Sequence, residues 1–558
     1  MTTPLSTLDV FGSPISLGEE GSLTYGRHWS TADLTYSFIN SEDSFFSVNY
    51  DVDSSSGVLI TSISNTNSAQ QEAFRSAFLS WSDVANIAFS EVSESKTSAG
   101  IIRLGLSTNV DQLVGSASGF AYLPDSTYPS SGDIWLNALT SDVVEGVNVG
   151  LLKDSSFGPA SYAYSVVVHE IGHAIGLKHP FEPSVFNSRV IDTTLDTISN
   201  SIMSYRLSLS ENIIGLTAYP TTPMPLDIEA IQNLYGANLV KNSGDTTFKF
   251  DDTQIYFETI WDPSGTDTIQ YDGVFPLELS LETSIANKIG RSVIGYGKDT
   301  SERYEIPNLY IAENVFIENA SGGIGNDTIK GNSLNNTLFG NPGNDSLFGL
   351  AGNDALSGGW GNDTIDGGDG FDTYMVSSSS TAITVERLND GSFFLDGNGL
   401  EGDDTLLNIE RVIFESDQNV LALDIAAGQN AGQVYRLYQA SFARSADTAG
   451  VSFHLNDIEN NGLSFYQVAN NFLNSPEFRQ TYNLGNEITN DQYIELLYQN
   501  VLGRTAEEFE KEYYSDRFTR EETDALFMDQ TMALIGFSES PENIELVGSQ
   551  IENGIWLT

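Results

Sequence analysis

From Gly322 to Met375 the sequence repeats every nine residues, and no other feature restricts the fold as tightly. In register the units read GGIGNDTIK, GNSLNNTLF, GNPGNDSLF, GLAGNDALS, GGWGNDTID and GGDGFDTYM. A unit this short cannot bury its own apolar side chain, so consecutive units must stack. The eighth position is large in all of them (Ile329, Leu338, Leu347, Leu356, Ile365, Tyr374) and is expected to fill an interior. The glycines allow tight turns with positive φ. The sixth position offers a carboxylate at Asp327, Asp345, Asp354, Asp363 and Asp372. The pattern predicts a calcium-binding parallel β-coil with two units per coil. One edge then stacks Asp327, Asp345 and Asp363, and the other stacks Asn336, Asp354 and Asp372. Stacked carboxylates repel unless a cation lies between them, and calcium takes roughly 6–8 oxygen ligands. The repeats are therefore expected to fold where calcium is plentiful, outside a calcium-poor cytosol. The second unit, with Leu334 and Asn336 in place of Gly and Asp, is expected to bind calcium weakly or not at all.

Composition agrees with a cation-binding chain. Acidic residues outnumber basic ones 76 to 24, a net charge of −52, which argues against nucleic acid and anionic membrane surfaces as partners. The absence of cysteine removes disulfides, thiolate nucleophiles and cysteine-ligated zinc. No run of apolar residues is long enough for a membrane span. The first residues, MTTPLSTLDVFGSPISLGEEG, lack the basic start and apolar run of a signal peptide, so export is expected by a route that needs none.

Histidine is scarce and concentrated. Of five in the chain, His169, His173 and His179 fall within VVVHEIGHAIGLKHP, Val166 to Pro180. Residues four apart share a helix face, so His169 and His173 can reach one metal. Glu170 lies beside that metal, where it can take a proton from bound water. Gly176 can end the helix in a left-handed conformation and turn the chain back, making His179 a third ligand. Three neutral imidazoles leave zinc open to a water whose pKa falls from ~15.7 to about 7. No GxSxG elbow appears to support a serine-esterase alternative.

HExxHxxGxxH followed by SIMSY, Ser201 to Tyr205, resembles the signature of the metzincins, and of their serralysin and astacin branches in particular. DIWLN, PLDIEAIQNLYGAN and NVFIENASGGIGNDTIKGN are similar to serralysin segments, so the resemblance spans about residues 25 to 425. It implies that Tyr205 is an additional, displaceable zinc ligand that stabilises the oxyanion, and that Met203 shapes the floor under the zinc. It implies Glu170 as general base, and GFAYLP as an edge strand for an extended substrate, with a core strand the alternative. GTDTIQYDG resembles the serralysin β-sandwich, which makes Asp267 a further calcium candidate. The repeats resemble the β-roll of RTX proteins, exported by the type I secretion apparatus.

The expected organisation is multidomain. A leader occupies residues 1–28, removed on activation. An α+β metzincin protease domain spans 29–243 and an all-β parallel β-roll and sandwich calcium domain 244–428. A C-terminal all-α domain of unknown role spans 429–558. That last region is duplicated: RLYQASFARSAD recurs as LLYQNVLGRTAE, and FLNSPEF as FSESPEN. It resembles a helical repeat found at the ends of RTX-type secreted proteins, and IENGIWLT loosely matches a serralysin terminus. His28 and His454 are expected to be structural or surface residues. The expected function is a secreted, extracellular zinc endopeptidase with one catalytic zinc and several structural calcium ions, acting on proteins or peptides. One alternative is a cell-surface or surface-layer protein that binds surface components and whose protease domain processes itself or its neighbours. Another is an inactive protease fold used for binding, against which the intact Glu170 argues.

Overall fold

The computed structural model describes residues 10–12, 19–40, 63–110, 117–125, 128–138, 157–209, 213–297, 303–397, 401–482 and 488–558, with a few single residues and dipeptides between them. The chain forms two compact units, residues 1–325 and 326–558. The expected limits at 243/244 and 428/429 therefore fall inside units rather than between them.

The first unit opens with a sheet of strands β1 (Asp33–Phe38), β2 (Ala88–Glu91), β3 (Ile102–Ser107), β4 (Gly119–Ala121) and β5 (Ile134–Asn137), in the order β2-β1-β3-β5-β4. These neighbours are parallel except β4, which runs antiparallel to β5 at the margin of the sheet, and the short strand Ile63–Ser64 also pairs antiparallel with β3. Helix α1 (Ser68–Val84) starts at a capping box between Asn67 and Gln70 and buries Phe74, Phe78 and Trp81. The Trp81 indole donates to the Val168 carbonyl at 3.1 Å, fixing α1 to the histidine helix α2 (Tyr162–Ala174). Helix α3 (Pro225–Tyr235) carries proline in its first turn. GFAYLP is thus an edge strand rather than a core strand.

Residues 21–29, assigned by sequence to the leader and the start of the protease domain, are built into this unit. Leu23 is fully buried, and Ser22, Thr24 and Trp29 nearly so. Strand pairing also joins Val10–Gly12 to Arg27–Trp29. Later in the unit, Thr247–Phe250, Thr268–Tyr271 and Asn319–Ser321 pair in parallel.

In the second unit the nonapeptides alternate between two parallel sheets. Thr328 pairs with Ser346, Ser346 with Thr364, and Thr364 with Thr405; Thr337 pairs with Ala355, Ala355 with Thr373, and Thr373 with Arg411. Ile329, Leu338, Leu347, Leu356 and Ile365 are fully buried and Tyr374 nearly so, as their common position requires.

The helices that follow repeat one pattern. Asn430–Phe442 and Thr448–Glu459 correspond to Asn490–Leu497 and Glu508–Phe518, each pair starting 60 residues apart (490 − 430 and 508 − 448). Phe465–Asn474 and Pro476–Thr481 correspond to Gln530–Ser538 and Pro541–Ile551, each pair starting 65 apart (530 − 465 and 541 − 476). The all-α expectation needs one correction. After the last helix Ile555–Leu557 forms a strand antiparallel to Asn419–Ala422, with Ile555 buried, because the short apolar run IWL can complete a sheet edge. Among the described residues no helix is long and apolar enough to cross a membrane.

Candidate metal centre

Helix α2 is capped by Ser161, whose hydroxyl accepts from the Tyr164 amide. It ends in a Schellman turn: the Leu177 amide donates to the Gly172 carbonyl at 2.9 Å and the Gly176 amide to the His173 carbonyl at 3.1 Å, with Gly176 at φ +115°. This turn returns the chain so that His179 meets His169 and His173. Nε2 of His179 lies 3.3 Å from Nε2 of His169 and 3.0 Å from Nε2 of His173. The Tyr205 hydroxyl lies 2.7 Å from the same nitrogen.

Every Nδ1 faces an acceptor: the Ile202 carbonyl at 2.7 Å for His169, the Leu177 carbonyl at 2.8 Å for His173, and a Glu182 carboxylate oxygen at 3.0 Å for His179. With the proton held on Nδ1, each Nε2 turns a lone pair toward one shared point. Burial lowers the pKa of all three, that of His169 to about 3, so the rings are neutral. Three neutral imidazoles at these separations fit tetrahedral zinc, whose bonds to nitrogen are about 2.0–2.1 Å.

Glu170 is buried, and its Oε2 has no hydrogen-bond partner. Burial pushes its carboxyl up to about 8. Beside it runs β4: a Cβ built on Gly119 would lie 3.3 Å from Glu170 Oε1. Tyr205 is 63 % exposed, the hydroxyl reaching in and the ring outward. Met203 is fully buried against Gly172, where a Cβ would come within 2.6 Å of its Sδ, so only glycine fits between the two helical histidines.

Some supporting residues carried no signal in the sequence. Asp227, on α3 and fully buried, accepts from the Ser201 hydroxyl at 2.6 Å and from the Ile202 and Met224 amides at 2.7 and 2.9 Å. It thereby fixes the turn that carries Met203 and presents the Ile202 carbonyl to His169. Nothing in PLDIEAIQNLYGAN reveals that reach. Glu182 was equally silent. His28 packs against Tyr235, and His454 lies among Tyr438, Phe453 and Phe472, both away from the triad. Among the described residues the triad is the one His/Cys/Asp/Glu group whose ligand atoms converge in this way.

The acidic candidates form two ladders. The Asp327 amide donates to Asp345 Oδ1, the Asp345 amide to Asp363, and the Asp363 amide to Asp404, at 2.7–3.0 Å. On the other edge the Asn336 amide donates to Asp354, the Asp354 amide to Asp372, and the Asp372 amide to Glu410, at 2.7–2.8 Å. Asp404 and Glu410 lie beyond the nonapeptides, so the motif did not reveal them. Oδ2 of Asp345, Asp354, Asp363 and Asp372 is buried without a partner. Burial pushes Asp345 up to about 7, and Asp354 and Asp363 up to about 6. Four orphaned oxygens in register are a donor set that fits calcium. Asn336 instead closes on its own loop, bonding the Asn332 amide and side chain. Asp267, the sequence candidate outside the repeats, is fully buried beside Asp262, and one oxygen of each lacks a partner. The Asp267 amide donates to Glu318 at 2.7 Å.

Comparison with known proteins matches these regions in turn. The matrixin family matches residues 47–199, and the RTX calcium-binding nonapeptide repeat matches 321–356 and 339–374. A domain of unknown function, DUF4214, matches twice, at 426–482 and 469–547, in line with the duplication. Serralysin C of Dickeya chrysanthemi is 34% identical over 331 residues, covering 55% of this chain and 60% of that protein. Metallopeptidase AprA of Pseudomonas marginalis is 31% identical over 326 residues, 54% of this chain and 60% of that protein. Serralysin of Proteus mirabilis is 32% identical over 290 residues, 48% and 54%. The chain thus spans a little over half the length of the curated relatives it matches. With zinc-type histidines and calcium-type repeats in that order, the chain is similar to the serralysins over about half its length, and its tail matches DUF4214.

Proposed function

We propose that this chain is a calcium-stabilised zinc endopeptidase that cleaves proteins or peptides outside the cell. The observation that carries this reading is the convergence of three Nε2 atoms, each ring held by its Nδ1, next to a buried carboxylate with a free oxygen. Zinc at His169, His173 and His179 would supply a Lewis acid that polarises a peptide carbonyl and acidifies water. Glu170 Oε2 is the free acceptor for the proton of the attacking water, and can pass that proton to the departing amine. The Tyr205 hydroxyl is placed to donate to the developing oxyanion once it leaves His179. The margin of β4, beside Glu170, offers backbone donors and acceptors to an extended substrate. Met203 and Gly176 shape the site without touching substrate.

Asp327, Asp345, Asp354, Asp363 and Asp372 are assigned to calcium in a two-edged β-roll, with Asp404 and Glu410 closing its ladders. Asp267 is assigned to a separate calcium site with Asp262. A roll whose carboxylates need calcium suits a protein that crosses a calcium-poor cytosol unfolded and leaves through a type I apparatus.

The test is hydrolysis of an unfolded protein with zinc and millimolar calcium, comparing the native chain with Glu170→Ala, each with and without a zinc chelator. Loss of about 10²–10⁴-fold in kcat/KM in the variant, and loss in the native chain with chelator, is expected. Undiminished turnover by Glu170→Ala would defeat the assignment.

A further inference from the structure

The loop that brings His179 to the triad is gripped by a segment far away in sequence. The Tyr25 amide donates to the Gly176 carbonyl at 2.8 Å and the Lys178 amide to the Leu23 carbonyl at 2.7 Å, a short antiparallel bridge with Thr24 opposite Leu177. Residues that follow His179 hold the other side of the same segment. The Asn187 side chain donates through Nδ2 to this segment, 2.7 Å from the Gly21 carbonyl, 2.8 Å from the Thr24 carbonyl and 3.0 Å from the Thr24 hydroxyl. The Ser184 hydroxyl donates to the Tyr25 carbonyl at 2.8 Å. Gly21 to Tyr25 is therefore enclosed between the chain entering His179 and the chain leaving it.

Adjoining residues extend the grip. A Cβ on Gly176 would meet the Arg27 carbonyl at 2.8 Å, so this glycine is required by a close neighbour as well as by its turn. The Arg27 guanidinium sits 3.7 Å from the centre of the Phe186 ring and pairs with Asp125 at 3.1 Å. The Trp29 indole donates to the Ala174 carbonyl at 2.9 Å, and the Tyr235 hydroxyl to the Ile175 carbonyl at 2.8 Å, closing the last turn of α2. Inside the loop, Lys178 Nζ donates to the carbonyls of Glu182 and Arg189 at 2.7 and 2.9 Å.

We infer that Gly21–Trp29 is a permanent clasp on the third-ligand loop and that Asn187 is its positioning residue, so maturation that yields a working metal centre cuts before Gly21. The inference rests on the zinc site proposed above and concerns how firmly that site holds its ion. Removal of the clasp frees His179 from one side while His169 and His173 stay on their helix, which weakens zinc without dismantling the sheet. Groups that orient metal ligands are worth about 10–100-fold in metal affinity.

Two measurements decide it. Zinc dissociation constants, read by chelator competition on the calcium-loaded chain, are expected to be about tenfold weaker for Asn187→Ala than for the native chain. Faster amide exchange at Leu177 and Lys178, with an unchanged far-UV spectrum, should accompany the change. Mass spectrometry of the processed protein is expected to place its N-terminus at or before Gly21. Native-like zinc affinity in Asn187→Ala, or a fully zinc-loaded processed form starting beyond Gly21, would overturn the clasp. Asn187→Ala keeps the test independent of a deletion of residues 1–28 that fails to fold. A native chain that binds zinc but cleaves nothing defeats the protease reading alone, because the affinity comparison still decides the clasp.

Discussion

The two metal-binding regions are organised in opposite ways. At the histidine centre each ring has its Nδ1 partner already in place, and the lone pairs converge with no charge to oppose them. In the repeats the carboxylates are aligned but unsatisfied, with buried oxygens that lack any donor. The first arrangement is complete without its ion. The second costs free energy until a cation arrives, because buried ionised carboxylates are expensive unless paired. A catalytic site must keep its shape while substrate exchanges, whereas a structural region can let the ion decide whether it folds.

The contrast can be broken most severely by removing calcium. A calcium chelator at pH 7.5 is expected to melt the repeats while the histidine helix stays protected, as read by hydrogen exchange along the chain. Equal protection of both regions would remove the distinction. The same asymmetry has a pH signature. Asp345, Asp354, Asp363 and Asp404 have folded-state pKa values of about 7, 6, 6 and 7, above the ordinary 3.8, with burial the first cause in each. Protonation therefore favours the folded repeats. The stability it gives is full below about pH 3.8 and is lost as pH rises through 6 to 7. Without calcium, the repeats should melt at a higher temperature at pH 5 than at pH 8, and a calorimetric trend of the opposite sign would refute the assignment.

Smaller changes sharpen the comparison. Asp227→Ala leaves the Ser201 hydroxyl and two buried amides without their acceptor, and is expected to cost about 2–4 kcal/mol in denaturant melts, with weaker zinc binding. Gly172→Ala drives a methyl against Met203 Sδ and is expected to cost about 1–3 kcal/mol. Asn336→Asp restores the missing carboxylate in the second unit, and is expected to lower the calcium midpoint by roughly twofold.

How far each region could be read from sequence follows from the same contrast. The ladder partners lie 18 residues apart, two units along one local repeat, so register, interior and edge were all visible in the motif. The three histidines were visible because a helix and one turn bring them together. Their supports were not. Asp227, Trp29 and Asn187 act across 26, 145 and 163 residues on Ser201, Ala174 and Thr24, and no short-range pattern encodes such contacts. Asp404 and Glu410 were hidden for another reason: they continue the ladders from segments that have abandoned the nine-residue spacing. The final strand was hidden too, since three apolar residues after a helix carry no period.

In the ladders Asp345, Asp354, Asp363 and Asp372 each divide their labour, one oxygen holding the backbone of the preceding coil and the other left for an ion. Ordering one coil therefore presents a finished half-site to the next, and disorder in one coil removes a wall from its neighbour. Such a lattice responds collectively. Its occupancy should climb steeply over a narrow interval of calcium concentration, with a Hill coefficient above one, so the region reads its surroundings as a threshold and not as a gauge.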